Sequence, residues 1–162
     1  MNSCDFGATS IETQKEPTTI WGHGYTDPKD PSSPVISKHG DNPVALSPAG
    51  TIHCSIKDWI KYLKIHAKPD GSNLLSLKSL EKLHQLYPAQ KSSYTYGGWV
   101  RAHRQWAKGY ALHHTGTNTF NFANVWLAPK RNTFFLAFIN SFTLTSGKAA
   151  DELIGALIQA TK

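Results

Sequence analysis

The sequence predicts an α+β protein in which two helices precede an antiparallel sheet and one more helix closes the chain. Two patterns support this fold class. Between residues 55 and 88, apolar side chains recur every three to four positions, as they do on one face of a helix. Beyond residue 93, short runs of β-branched and aromatic residues alternate with turn residues, which is typical of antiparallel strands.

The first third of the chain is expected to be irregular. Residues 5–50 are rich in Pro, Gly, Asp, Ser and Thr and show neither helical nor strand periodicity. Such a long run is unusual in a compact domain unless it belongs to something larger or lines a site. We therefore interpret 1–162 as a single partial domain, made of an irregular segment 1–54, a helical segment 55–88, and antiparallel strands plus a C-terminal helix over 93–162.

The first helix begins at Ser55, which together with Asp58 resembles a capping box. Its apolar face consists of Ile56, Trp59, Ile60 and Leu63. The segment Lys68-Pro-Asp-Gly71 ends it. A second helix is expected from about Ser76 and stops before Pro88, and its apolar residues are Leu77, Leu80 and Leu83.

Four strands are predicted, at Tyr94 to Val100, Tyr110 to His114, Asn121 to Ala128 and Thr133 to Asn140. The last two flank Pro129-Lys-Arg-Asn132, which predicts a hairpin turn. The final helix starts near Gly147. Its apolar stripe consists of Ala150, Leu153, Ile154, Leu157 and Ile158. We expect this helix to pack across one sheet face through Leu153, Leu157 and Ile158.

The formal charge of +6 raises the question of an anionic partner. The densest basic stretch, Arg101 to Lys108, contains Trp106 and could hold phosphates, but we favour its interpretation as a solvated β-turn. Because the other cations are scattered and no nucleic-acid motif accompanies them, we expect no nucleic-acid partner. No apolar run reaches the length of a membrane span, and Met1 to Ser10 lack the pattern of a signal peptide, so the sequence gives no cellular address.

Neither a metal site nor a cofactor is expected. None of the eight histidines has the spacing of zinc ligands, and the adjacent His113 and His114 would point to opposite faces of a strand. Gly22-His-Gly24 is too short for a phosphate-binding loop. Cys4 and Cys54 are expected to be unbonded, although a bridge between them is open if the chain is exported.

The segment Leu112-His-His-Thr-Gly-Thr-Asn118 contains a His-Thr-Gly triplet on a predicted strand. This triplet resembles the third motif, Lys/His-Thr-Gly, of the family that contains class C-type serine β-lactamases, penicillin-binding DD-peptidases and related esterases. Four further segments resemble motifs of this family in the same order and spacing: Trp21 to His23, Asn42 to His53, Gly97 to Trp99, and Val125 to Lys130. The resemblance covers the whole chain.

The resemblance implies a partial β-lactamase-like fold that lacks the N-terminal strands and the nucleophile helix. The family's Ser-x-x-Lys motif is not found in its place, and Ser79-Leu-Glu-Lys82 has the spacing but lies in the second helix. Met1 to Gly7 resembles a segment internal to the family domain. We therefore expect a C-terminal fragment with no catalytic residue of its own that is inactive alone; the alternative is a non-catalytic binding or interaction module derived from the same fold.

The resemblance also implies a substrate-binding wall, formed by His114, Thr115, Gly116, Thr117 and Asn118. His114 would replace the usual lysine and attract the carboxylate of a small-molecule or peptide substrate while protonated, which an imidazole is only in part at neutral pH. The Thr115 hydroxyl would bind the same carboxylate. Gly116 would let the substrate approach the strand, and the Thr117 N–H would supply half of an oxyanion hole. Members of the family are often periplasmic or secreted.

The strand 133–140 is expected to mediate self-association. In the family the corresponding strand is internal to the sheet and pairs with a strand from near the N-terminus. Without that neighbour, a very apolar strand would expose a row of backbone donors and acceptors. We therefore expect a homo-oligomer, with a two-fold dimer pairing 133–140 with its own copy.

Overall fold

The computed structural model describes residues 5–6, 23–24, 35–36, 44–50, 52–67, 74–88, 93–118, 121–139 and 142–161. In chain order its strands and helices are β1 (Asp5–Phe6), β2 (His23–Gly24), β3 (Val35–Ile36), α1 (Ser47–Gly50), β4 (Ile52–His53), α2 (Ile56–Ala67), α3 (Leu77–His84), β5 (Val100–Arg104), β6 (Gly109–Thr117), β7 (Phe122–Ala128), β8 (Thr133–Ile139) and α4 (Ser146–Ala160). Among these helices, none has the length and apolarity needed to cross a membrane.

The predicted α+β class is confirmed. The main sheet has four antiparallel strands in the order β5-β6-β7-β8, and β1 pairs with β4 and β2 with β3 in two small ladders. The predicted hairpin between β7 and β8 turns through a 3-10 segment, Pro129–Arg131. Asn132 ends it with a left-handed φ of 49°, a conformation that asparagine tolerates better than most side chains.

The helix boundaries also agree with the sequence. α2 ends at Ala67, directly before the predicted stop signal, and its last turn carries Lys64 and His66. α3 follows Ser76, whose hydroxyl accepts the backbone N–H of Ser79 at 3.1 Å. The predicted apolar face of α3 is correct only in part, because Leu80 is fully buried whereas Leu77 is exposed.

The predicted strand 94–100 is wrong for most of its length. Only single bridges form there, and a tight turn closes where the N–H of Gly98 (φ 77°) donates to the Thr95 carbonyl at 3.0 Å. The strand instead occupies β5, whose residues we had interpreted as a solvated turn. A 3-10 segment, Gln105–Ala107, and Lys108 in the left-handed conformation (φ 54°) then lead into β6. The turn is thus shorter than predicted. The four residues Gln105 to Lys108 reverse the chain, because the backbone of Lys108 is left-handed.

The chain divides into two compact units: one of residues 1–55, 115–124 and 137–153, the other of residues 56–114, 125–136 and 154–162. The core of the second unit contains Leu63, Ala67, Trp99, Leu112, Val125 and Leu127. A separate cluster contains Ala107, Ala111 and Ala128, covered by Trp106 and Trp126. Because neighbouring strand residues alternate between faces, Ala111 and Leu112 place these clusters on opposite faces of the sheet.

The predicted packing stripe of α4 is wrong in two of its three named residues. Leu153 and Leu157 are 51% and 39% exposed, whereas Ala150 and Ile154 are buried. In the first unit the Nδ2 of buried Asn124 donates to Asp151 Oδ1 at 2.7 Å, and Gly147 lies against the Phe122 ring. The buried residues Ala150 and Ile154 both belong to the apolar stripe that the sequence predicts, so only the choice of Leu153 and Leu157 as packing residues is wrong.

Candidate functional site

The His-Thr-Gly triplet lies near the end of β6, as predicted. β5 begins at Val100, which pairs with His113, so the ladder between these two strands stops one residue before the triplet. Residues 114–117 therefore continue β6 beyond its β5 neighbour, and all four are exposed. Within the described residues, the end of this strand is an accessible polar surface rather than part of the core.

His113 and His114 lie on opposite faces, as expected for neighbours on a strand. The His113 ring stacks on Trp126, with centroids 4.2 Å apart and planes tilted by 26°. The His114 ring meets Trp99 edge-on, with centroids 6.2 Å apart. Because Trp99 is only 5% exposed and belongs to the core, it gives the otherwise exposed His114 a fixed neighbour.

Among the described residues, none packs closely enough on Gly116 to require a glycine there. A Cβ built at this position would meet no described atom within 4 Å, and its φ lies outside the left-handed range. A side chain would therefore fit, so the fold leaves space above the strand here. A ligand that lies against the backbone would use that space.

Asn118 closes the connection to β7. Its Oδ1 accepts the backbone N–H of Asn121 at 2.9 Å and the Asn121 Nδ2 at 3.4 Å. The Oδ1 of Asn121 is buried and finds no hydrogen-bond donor among the described residues. The Asn118 side chain thus has a structural task, which is to hold the end of β6 in place.

A buried histidine pair, which the sequence analysis missed, lies in the same unit as His114. His66 Nδ1 and His84 Nε2 are 2.9 Å apart, and both side chains are 4% exposed. Burial lowers the pKa of His66. The pKa of His84 falls to about 4, chiefly through burial and further through the charges of His66 and Arg101. The pair is therefore neutral at physiological pH, with one ring donating its N–H to the other.

Trp99 contacts both histidine environments. Its ring centroid is 5.2 Å from that of His66 and 6.2 Å from that of His114. The indole Nε1 is buried and finds no acceptor among the described residues. The Gly-Gly-Trp motif identified Trp99 in the sequence. The pairing of His66 with His84 could not be predicted, because the two histidines are eighteen residues apart and no local pattern connects them.

Ser79 and Lys82 are not arranged as a nucleophile and its base. The Ser79 hydroxyl is exposed and lies 2.9 Å from that of Ser76. The Lys82 ammonium lies over the Tyr96 ring, 5.8 Å from its centroid. The described residues also hold no cluster of three or more histidine, cysteine or acidic side chains suited to a metal ion.

Some sequence motifs fall wholly or partly outside the described residues. These include Cys4, Trp21, Gly22, Asn42 and Asn140. The Cys4–Cys54 question therefore lies outside them as well, although Cys54 itself is exposed. Neither a protein-family model nor a curated protein matches this sequence. The functional argument consequently depends on the residues of this chain.

Proposed function

We propose that the end of β6 is the substrate-binding wall of a β-lactamase-like serine hydrolase that acts by acyl transfer on β-lactams, D-Ala peptides or esters. On this proposal the chain is a partial β-lactamase-like fold without the N-terminal strands and nucleophile helix, so it is inactive alone. The observation that carries the proposal is Gly116, a glycine that packing does not require, on an exposed strand end within a His-Thr-Gly triplet.

The wall would bind the carboxylate and the reacting carbonyl separately. The imidazole N–H of His114 and the hydroxyl of Thr115 belong to exposed residues, and both groups can donate to a carboxylate. The ligand backbone would lie across Gly116, where no Cβ blocks it. The N–H of Thr117 would then stabilise the developing oxyanion, with the second donor and the nucleophile supplied from outside the chain.

The alternative is a binding or interaction module that uses the same wall without acyl transfer. The two functions differ in what the complete gene encodes. A Ser-x-x-Lys motif in frame upstream supports the hydrolase, and its absence favours the module. A fluorescent penicillin should label the product of the complete gene covalently, whereas the 162-residue chain should neither be labelled nor hydrolyse a chromogenic cephalosporin or a short-chain p-nitrophenyl ester.

Ligand binding by the chain itself tests the wall directly. We expect N-acetyl-D-alanyl-D-alanine to shift the backbone amide resonances of residues 114–117 in a ¹⁵N-labelled sample. The same peptide with a C-terminal amide lacks the carboxylate and should shift them much less. Equal shifts with both peptides, or shifts confined to other strands, would contradict the assigned role of His114 and Thr115.

We further propose that the chain self-associates through β8. Among the described residues this strand pairs with β7 only and ends the sheet. Thr133 to Ile139 contains no charged residue or proline, the features that usually protect an edge strand from pairing. A second copy of the chain can pair its own β8 with this edge in an isologous two-fold contact.

Light scattering at tens of micromolar tests the proposed dimer. Phe138, 37% exposed on β8, offers the disrupting variant Phe138→Lys, which should return the chain to a monomer. Leu144→Lys is the matched control, because Leu144 is 83% exposed and lies outside the strand. A monomeric wild-type chain with slow amide exchange along 133–139 would contradict the proposal.

A further inference from the structure

We propose that a basic cavity at the start of β6 binds a small organic phosphate. The cavity has a volume of about 450 Å³, within the range of small-molecule sites. Its basic side chains are Arg101, His103, Lys108 and Lys130. It lies at the opposite end of β6 from Gly116, so this inference is independent of the proposed acyl-transfer function.

The charge of the cavity has no counter-charge within its lining. Arg101 and His103 come from β5, Lys108 from the turn after it, and Lys130 from the turn between β7 and β8. No acidic residue lines the cavity, and the ion pairs of the described residues, Lys61–Asp58 and Lys148–Glu152, involve none of the four. An anion that enters would therefore meet converging positive charge in a concave site, the arrangement that strengthens phosphate binding.

Arg101 is held in place before any ligand arrives. Its Nη1 donates to the His84 carbonyl at 3.0 Å, and its guanidinium carbon lies 4.1 Å from the Tyr110 ring centroid. An immobilised guanidinium loses little side-chain entropy on binding and retains further N–H donors for phosphate oxygens. The two contacts thus preorganise the cavity's strongest donor.

Gly109 lets Lys130 reach the cavity. A Cβ at this position would lie 3.0 Å from Lys130 Cδ and 3.4 Å from its Nζ. The lysine stem therefore lies across the bare backbone of β6, and its ammonium ends at the cavity. The φ of 156° at Gly109 already favours glycine there, and the absence of a Cβ also leaves the lysine stem room against the strand.

The rest of the lining favours a small organic molecule over a nucleic acid. Leu86 and the Tyr110 ring add an apolar wall on which the organic part of the ligand can pack. Burial raises the pKa of the Tyr110 hydroxyl, and the charges of Arg101 and Glu81 act on it in opposite directions, so the hydroxyl remains a donor. Glu81 does not line the cavity. A nucleic acid would need a longer basic track than this one depression offers.

Isothermal titration calorimetry with adenosine diphosphate and with pyrophosphate tests the proposal on the full chain. We expect both to bind at low salt and adenosine to bind much more weakly. The Lys108→Asn/Lys130→Gln variant should bind at least about tenfold more weakly, because it removes two charge-assisted contacts. Asparagine keeps the left-handed backbone at 108 accessible.

The matched control is Lys57→Gln/Lys64→Gln on α2, which removes the same charge from exposed positions that do not line the cavity. It should change the dissociation constant by less than about twofold. Equal weakening in both double variants would mean diffuse attraction to a basic protein and would overturn the site. So would absence of binding to both probes at millimolar concentration, or an oligonucleotide that binds more tightly than adenosine diphosphate and depends on the same two lysines.

Discussion

Gly97 and Gly116 occupy two motifs that the sequence singled out, and the fold uses them in opposite ways. A Cβ on Gly97 would lie 2.9 Å from the Leu83 carbonyl oxygen and 3.2 Å from the Leu83 Cβ. The Gly97 N–H donates to the same carbonyl at 2.8 Å. A Cβ on Gly116 would meet no described atom within 4 Å.

The comparison separates two reasons for a glycine. At Gly97 the end of α3 approaches so closely that packing alone requires the absence of a side chain. At Gly116 neither packing against the described residues nor a left-handed backbone requires a glycine, so the position is open to the proposed approach of a ligand along the strand. Substitutions at the two positions should therefore affect different properties, stability in one case and binding in the other.

The largest expected effect is that of Gly97→Val. The added side chain would force the turn away from α3 and break the Gly97–Leu83 hydrogen bond, so the free energy of unfolding should fall by about 3 kcal/mol. Gly116→Val should change it by less than about 0.5 kcal/mol. Urea denaturation followed by circular dichroism measures both. A similar loss in the two variants would remove the distinction on which the comparison depends.

The second largest expected effect is a loss of folding stability at acidic pH, in the same region of the fold as Gly97. His84 has an ordinary pKa of 6.5 and a pKa of about 4 in the fold, and the pKa of His66 is lowered as well. Between pH 6.5 and pH 4 the unfolded chain binds more protons than the folded chain. The contribution of the histidine pair to the free energy of unfolding is therefore fully present above about pH 6.5 and is lost as the pH drops towards 4. We expect a loss of about 2 kcal/mol, after allowance for solvent screening.

Denaturant unfolding at pH 7 and pH 5 measures this dependence. In His84→Gln, which can still hydrogen-bond to His66, the difference between the two pH values should shrink by about half. The control is Lys78→Gln, a substitution at an exposed position of α3, the helix that carries His84, which should leave the dependence unchanged. If His84→Gln keeps the full wild-type dependence, the buried pair is not its source.

The smallest expected effect is a gain in stability at a third glycine. Gly155 lies within α4, and a Cβ there would meet nothing within 4 Å. Gly155→Ala should therefore raise the free energy of unfolding by about 0.5–1 kcal/mol, because alanine loses less backbone entropy in a helix. Thermal melting resolves this gain as a higher Tm. A loss instead would show that position 155 is packed against something.

Local patterns predicted most of the fold. The ends of α2 and α3 and the β7–β8 hairpin followed from a stop signal, a capping serine and a turn. The β5–β6 hairpin was missed because two arginines and a histidine occupy three of the four positions from Arg101 to Arg104, and their strand is held by pairing with β6. The predicted apolar stripe of α4 includes its buried residues Ala150 and Ile154, but periodicity did not show that Leu153 and Leu157 remain exposed.

The sequence predicted the residues of the candidate site but not the groups that surround them. The triplet, its strand and the opposite orientation of His113 and His114 followed from a motif and from strand alternation. The His66–His84 pair joins positions on two helices, and the basic cavity joins residues from separate turns. Neither the histidine pair nor the cavity has a sequence spacing from which it could be predicted.

One measurement tests the central claim, which is that position 116 is a glycine because a ligand binds there and not because the fold requires it. Gly116→Val and the wild-type chain should unfold at the same temperature within about 2 °C. In the same samples, N-acetyl-D-alanyl-D-alanine should shift the amide resonances of residues 114–117 in the wild type and leave them unmoved in the variant. Undiminished shifts in a stably folded Gly116→Val would contradict the account, because the added side chain would then occupy space that no ligand uses.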